Sequence, residues 1–403
     1  MTMFLRRPLL RPAIGALALA GCALTGCDPG SGTDASPPPH AADGRATDAV
    51  PQSAAEEAWR WPAPPPGSVG MPAVDGDGVA AAYGHLRLVL LDLDGTMRWE
   101  LERVGLRDVA PALTPDLVVA ATEEGVVAVE RSTGTVRWDT EVAERANTPV
   151  VVGGRAVVST WEGSLTAFDL ADGRVAWRTA LPGPAIGPAV TDGTAVVVTW
   201  ESTFGDAAGA MAVEGGDGRQ RWSVPLEPGG VSGPAIVALP AGGEGAAPGG
   251  PEGSGSVAVL VAGDIAAHGL ELAAGTERWR IPTKGRGSPE VPPLALGGGE
   301  VLVAHRLAGL VLVDGATGDP RWGTSTKGAA VRGGPAGPGP DGPFAFPVDD
   351  GRLLVAGPGS ETITLDWPGR VSGVAAAPDG LIVVATREAR ANHLIALRIV
   401  AGS

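Results

Sequence analysis

The sequence predicts an all-β fold: a single β-propeller of four-stranded blades, with eight blades as the preferred count and seven as the alternative, the ring being closed by an N-terminal strand. Three observations predict it. A Gly-x-x-x-Trp motif recurs six times at a spacing near 40 residues. Apolar runs are short, rich in Val, Leu and Ala, and bounded by Gly, Asp and Pro, as strands between tight turns are. Helix signals after the N-terminal segment are almost absent, while 62 Gly and 37 Pro supply turns along 403 residues.

The motif ends at Trp99, Trp138, Trp177, Trp222, Trp279 and Trp322, with Trp-to-Trp spacings of 39, 39, 45, 57 and 43 residues. The longest spacing contains a low-complexity insertion of 17 residues, 240–256, without which it returns to 40. In the unit 147–177 two Val-rich runs, a turn at Glu162-Gly163 and the run LTAFDLADGRVAW give four strands in about one period. That period belongs to propeller blades. The turn before each Trp is also readable. In Ala128-x-Glu130-x-x-Thr133-Gly134 and Ala167-x-Asp169-x-x-Asp172-Gly173 the Gly supplies a positive φ, and the Thr or Asp before it, like the acid four residues before it, can bond local backbone. Each Trp then lies on the last strand of its blade and is expected to dock between blades. Burying about 150–250 Å² per ring gives an upper estimate of about 4–6 kcal/mol each.

Six motifs do not limit the ring to six blades. Residues 335–369, with Phe344-Ala-Phe346 and a run ending at Trp367, form a degenerate seventh. Residues 373–399 supply three more strands and lack a fourth. Residues 58–61 (AWRW) offer an Ala-x-x-Trp-like strand to complete that last blade. Closure matters because an open ring leaves two unpaired edges.

The N-terminus reads as an address. Arg6, Arg7 and Arg11 precede a short apolar stretch, residues 13–20, too short to span a membrane. Two lipobox-like sites follow, Leu19-Ala20-Gly21-Cys22 and Leu24-Thr25-Gly26-Cys27. They resemble those of bacterial lipoproteins, in which the Cys is acylated. Cys27 is the preferred lipidation site and Cys22 the alternative, because the sequence turns polar after Cys27. The chain then divides into a signal peptide (1–26), a Pro-, Gly- and Ser-rich tether (27–57) and the propeller (58–403). The expected location is outside the cell, lipid-anchored to the outer face of the bacterial cytoplasmic membrane.

The repeat resembles the PQQ-like repeat, shared by quinoprotein dehydrogenases and the outer-membrane-barrel assembly lipoprotein BamB, over about residues 58–403. The resemblance implies the propeller and leaves function open, because propellers host many functions. Quinoprotein dehydrogenases use a bound quinone, Ca²⁺, an Asp base and often a vicinal Cys pair. Here both Cys lie in the leader, and the expected cofactor is none. A PQQ-dependent oxidoreductase is the disfavoured alternative. A barrel-assembly role requires a cell with an outer membrane, and the Ala-, Gly-, Pro- and Arg-rich composition is that of a GC-rich genome.

Other chemistry finds little support in the residues. No two of His40, His85, His268, His305 and His393 have close metal-ligand spacing. Asp75-Gly-Asp77, Asp92-Leu-Asp94 and Asp349-Asp350-Gly351 read as turns, and no Ser sits in a nucleophile elbow. The formal charge of −15, near −18 without the three leader arginines, disfavours nucleic acid. Trp161 and Trp200 stand outside the motif register and lie 39 residues apart, one repeat period; they form the candidate binding patch, with Phe204 nearby. The expected function is therefore a non-enzymatic, monomeric docking scaffold for an envelope protein or cell-wall polymer.

Overall fold

The computed structural model describes residues 55–399 apart from 65–66, 241–254, 263–265, 283–290, 306–308, 326–330, 332–333, 340–342, 349–350, 359–361, 366–369 and 388–391. Cys22, Cys27, His40, Trp367, Asp349, Asp350, most of the 240–256 insertion and nearly all of the leader and tether lie outside the described residues. Eight antiparallel sheets follow one another along the chain as eight blades. Blades one to six span residues 73–102, 112–141, 150–180, 190–226, 235–282 and 294–324, each with four strands in sequence order from the axis outward. Blade seven has three regular strands, Phe344–Pro347, Leu353–Ala356 and Ile363–Leu365. Its inner strand shrinks to a bridge in which Ala336 and Ala345 exchange both backbone hydrogen bonds at 2.8 Å.

Blade eight closes the ring. Arg370–Ala376, Leu381–Arg387 and Asn392–Ile399 are joined on the outside by Ala55–Ala63, which pairs with Asn392–Ile399. The closing strand starts three residues before the expected boundary at 58. Among the described residues the one helical element is a 3₁₀ turn at Gly297–Gly299, and no helix is long and apolar enough to cross a membrane.

The middle strands explain the unbroken apolar runs of the sequence. Val79–Tyr83 and Leu117–Ala121 are buried at every position, because the neighbouring blades cover both faces of each sheet. The apolar clusters accordingly straddle blade boundaries; one unites Leu88, Leu90 and Trp99 of blade one with Val118, Val127 and Val129 of blade two.

The repeat motif can now be decoded. Each motif Trp opposes a residue two before the motif acid: Ala128 faces Trp138, Ala167 faces Trp177 and Gly269 faces Trp279. A β-bulge falls just before the Trp. The bulged residue is often Arg and pairs with the motif acid, as in Arg137–Glu130 at 2.6 Å and Arg221–Glu214 at 2.8 Å. The Thr or Asp before the Gly bonds local backbone as expected: Asp172 accepts from the Arg174 N–H at 3.1 Å and Asp217 from that of Arg219 at 3.0 Å.

The Trp ring crosses to the next blade and lies against that blade's motif glycine. Its indole N–H donates to a backbone carbonyl there, from Trp99 to Arg131 (2.8 Å), Trp138 to Leu170 (2.9 Å), Trp177 to Gly215 (3.1 Å), Trp222 to Leu272 (2.8 Å) and Trp279 to Gly315 (2.8 Å). Trp322 packs on Phe344 of blade seven with ring centroids 6.0 Å apart. In the closing strand it is Trp59, and not Trp61 as the Ala-x-x-Trp spacing implied, that takes the motif role. Trp59 opposes Ala396 after a bulge, donates to Leu93 O at 2.7 Å and covers Gly95 of blade one. Trp61 instead meets Tyr83 edge-on.

The motif glycine thus serves two needs at once. Gly173 has φ +73°, and a Cβ there would lie 2.6 Å from the Trp138 ring. Gly173→Ala is expected to cost about 2–4 kcal/mol through combined backbone strain and overpacking. Urea unfolding checks this, and a loss below about 0.5 kcal/mol, the scale of an ordinary surface change, would contradict the double role.

Candidate functional site

The two ends of the ring differ in what they expose. One end carries the tight glycine turns of the motif. The other, the loop face, carries the turns between second and third strands and the connections from each blade to the next. From blade one to blade four these loops are stitched edge to edge by backbone hydrogen bonds. Gly105 donates to His85 O (2.9 Å), Glu123 to Gly105 O (2.8 Å), Val142 to Glu124 O (2.6 Å), Leu181 to Gly163 O (2.9 Å) and Glu201 to Pro184 O (3.1 Å). Each blade-to-blade loop is therefore held between the turns of two consecutive blades.

Among the described residues three large apolar side chains stand out of this face: Val104, Trp161 and Phe204. Phe204 is 92% exposed, yet its turn is tightly built. Ser202 Oγ donates to Asp206 Oδ1 (2.5 Å) and accepts from the N–H groups of Asp206 (3.1 Å) and Ala207 (3.2 Å), while Gly205 takes φ +69°. Trp161, 47% exposed, follows the buried Thr160. The Arg145 guanidinium sits 6.0 Å from the centroid of its ring and 3.6 Å from Glu162. The surrounding loops carry Glu123, Glu124, Glu162, Glu201 and Asp206 against Arg103, Arg107 and Arg145, of which Arg107 pairs with Glu123 at 3.8 Å. Together these make rigid apolar anchors on an acidic ground.

Trp200 does not join them. Arg155 opposes Asp169 in blade three, and Ala195 opposes Glu214 in blade four. Counting along the strands from those pairs, Trp200 matches Thr160, and Trp161 matches Glu201. The bridges Ala146–Thr160 and Ala185–Trp200 give the same register. The sequence spacing of 39 is one residue short of the structural repeat here, and a one-residue slip sends a strand side chain to the other face. The Trp200 ring lies over Gly209, where a Cβ would come within 2.6 Å of it, and its indole nitrogen is buried. The second aromatic of the face is Phe204, which the sequence shows only as a Phe in a polar turn.

The acidic motifs fall into structural places. Asp75 Oδ1 accepts from the N–H groups of Asp77 (2.9 Å) and Gly78 (3.1 Å), closing the expected turn. The same carboxylate reaches into blade two, where Arg131 donates to its two oxygens at 2.6 and 2.7 Å and to Thr114 O at 2.8 Å. Burial alone would raise the Asp75 carboxyl; Arg131 and the two N–H groups outweigh it and hold the group below its ordinary range. A carboxyl depressed in the folded state stabilises above its unfolded value, and that stability is lost as pH falls through the folded value. Arg131, only 4% exposed, anchors this link. Arg131→Ala leaves Asp75 without its charge partner and is expected to cost about 3 kcal/mol, read by urea unfolding at neutral pH, with a smaller difference in acid. Equal differences at both pH values would count against the ion pair as the cause.

His85 lies on the loop face, its Nε2 3.4 Å from Asp108, which accepts from Ser68 Oγ at 2.9 Å. His268 is buried between blades four and five. His305 ends a strand, and its side chain lies outside the described residues. Asp94 accepts from the Thr96 N–H at 2.9 Å, as a turn residue does.

The profile of the family described as outer membrane protein assembly factor BamB matches residues 42–150 and 143–283. No curated protein matches the chain by sequence. Among solved structures, BamB from Moraxella catarrhalis superposes with a TM-score of 0.61 at 13% identity, covering 87% of this chain and 99% of that one. The computationally designed Ika8 protein gives 0.63 at 11% identity, over 83% and 96%. Quinohemoprotein alcohol dehydrogenase ADHIIG from Pseudomonas putida HK5 gives 0.63 at 11% identity, over 87% and 77%. At these identities the superpositions establish the fold alone.

Proposed function

The chain belongs to the family described as outer membrane protein assembly factor BamB, and from that premise we propose that it is a non-enzymatic scaffold that docks another envelope protein on its loop face. An assembly factor works through protein partners, and this ring offers one a preformed surface. The observation that carries the reading is the pair Trp161 and Phe204, exposed on turns whose backbone is already fixed. Rigid aromatic anchors bind at low entropic cost, and anchors of this type dominate binding energy. The acidic loops around them fit a partner surface that combines an apolar patch with Lys or Arg and disfavour polyanions. Membership of the same family supports placement in the envelope, with a lipid on Cys27, or on Cys22, as the proposed tether.

The competing reading is quinone-dependent oxidoreduction on the same fold. The two separate in one experiment. Adding pyrroloquinoline quinone with Ca²⁺ to the purified protein is expected to leave its melting temperature unchanged, whereas a tight resident cofactor would raise it by mass action. A saturable rise would overturn the scaffold reading.

A further inference from the structure

His268 occupies a third-strand position that holds Val127, Thr166 and Met211 in blades two, three and four. His268 is 3% exposed and borders a cavity of about 450 Å³ between blades four and five, lined by Val224, Pro225, Leu226 and Glu227 from blade four and by Leu270 and Glu277 from blade five. Both nitrogens meet carboxylates. Nδ1 lies 2.8 Å from Glu277 Oε2 and Nε2 lies 3.0 Å from Glu227 Oε2. Arg280, paired with His268 across the strands, donates to Glu227 Oε1 at 2.6 Å. Among the described residues these are the charged groups placed around the ring from blade four and from the outer strand of blade five; the residue opposite it on the second strand is Leu260.

An ionised carboxylate only accepts hydrogen bonds, and a neutral imidazole carries one N–H. With Nδ1–H given to Glu277, Nε2 presents a lone pair to the Glu227 oxygen, and this buried nitrogen makes no hydrogen bond of good geometry. One added proton turns both contacts into donor–acceptor pairs. It also cancels the single net negative charge left by Glu227, Glu277 and Arg280.

Glu227 is the first residue of the connection from blade four to blade five. Three residues later the Gly230 N–H donates to Glu201 Oε1 at 2.9 Å, and Glu201 opens the turn that carries Phe204. Between these points Gly229 and Gly230 take φ +105° and +99°, whereas the next residues, Val231 and Ser232, are buried and Ser232 Oγ accepts from the Val261 N–H at 2.9 Å, so the segment that can respond is 228–230. We propose that His268 is a proton-operated latch: protonated, it pins Glu227 and through residues 228–230 holds the Gly230–Glu201 hydrogen bond at the base of the Phe204 turn, and neutral, it releases both, while the turn's own Ser202–Asp206 bonds persist in either state. Its consequence for partner binding rests on the docking reading, while the latch itself does not. Burial would raise the Glu227 carboxyl, but its own backbone N–H, Arg280 and the His268 ring together hold it below its ordinary range, so it stays a charged partner.

Hydrogen exchange of the full chain, without any partner, tests the latch at about pH 5.5 and about pH 8, on either side of the charge change of a free imidazole. After correction for intrinsic exchange, segments 200–202 and 227–230 are expected to lose about tenfold in protection at the higher pH, the scale of one charged hydrogen bond. Segments 142–146 and 160–163 are expected to keep theirs. His268→Gln and, separately, Glu227→Gln should each abolish the pH difference. Equal protection of the wild type at both pH values overturns the latch, as does a His268→Gln protein that keeps the full difference. If Zn²⁺ restores protection at about pH 8 in the wild type, a metal ion takes the bridging place and the proton reading falls. Because no partner is present, a failed docking experiment leaves this outcome standing, and the reverse also holds.

Discussion

Removing residues 55–63 is expected to unfold the whole ring in one transition and not to fray one blade. The closing strand lies at the start of the chain, but its contacts are with the far end. It pairs along Asn392–Ile399, sends Trp59 against Gly95 of blade one and sets Trp61 on Tyr83. Near the axis the same seam is held by Ser372 of blade eight, whose hydroxyl donates to Val69 O at 3.0 Å. Without the strand the outer edge of blade eight is open and the Trp dock on blade one is empty, so every blade boundary loses the restraint of closure. The milder variant Trp59→Ala keeps the strand and is expected to cost about 3 kcal/mol, the lower end for a large aromatic because the ring is only partly covered. Urea unfolding followed by both Trp fluorescence and far-ultraviolet circular dichroism reads both variants. Deletion that left the midpoint unchanged, or that split the transition in two, would contradict closure by this strand.

Trp161→Ala with Phe204→Ala is expected to abolish partner capture and leave stability within about 0.5 kcal/mol of wild type. Each anchor should contribute about 2 kcal/mol to binding, or roughly 30-fold in affinity. The contrast with Trp200→Ala makes the prediction specific. That ring is packed over Gly209 inside blade four, so its loss should cost about 2 kcal/mol or more of stability while capture by the folded protein persists. If Trp200→Ala removed binding and the double variant did not, the face would have been assigned to the wrong aromatics.

The ring was legible in the sequence because its repeat is a packing rule written in few residue types. Trp needs a small or aliphatic residue opposite it, a bulge before it and a glycine on the next blade, and all three leave a trace at fixed spacing. The closing Trp was harder to place: AWRW holds two candidates, and Ala58, the residue passed over in the pairing between Glu57 and Trp59, decides between them. Blade seven is faint because, among the described residues, its inner side is reduced to the isolated bridges of Val331 and Ala336. The site was less legible for the same physical reason. A period of 39 between Trp161 and Trp200 looks like equivalence, yet strand register alternates every residue, and one residue separates an exposed anchor from a packed ring. Phe204 gave no periodic signal, since its display depends on Ser202, Asp206 and Gly205 shaping one turn. The His268 clamp joins residues 41 positions apart on two blades and is visible only once Glu227 is brought beside it.

The measurement that bears most directly on the docking claim is site-specific photocrosslinking in the native host, followed by mass spectrometry. A photoreactive residue replaces Phe204, and a control replaces Asp217, exposed on the opposite end of the ring. The scaffold account predicts one predominant envelope protein crosslinked from position 204, absent from position 217 and lost when Trp161 is also replaced by Ala. Crosslinks of equal yield from both positions, or none from position 204 together with a saturable quinone-induced rise in melting temperature, would contradict it.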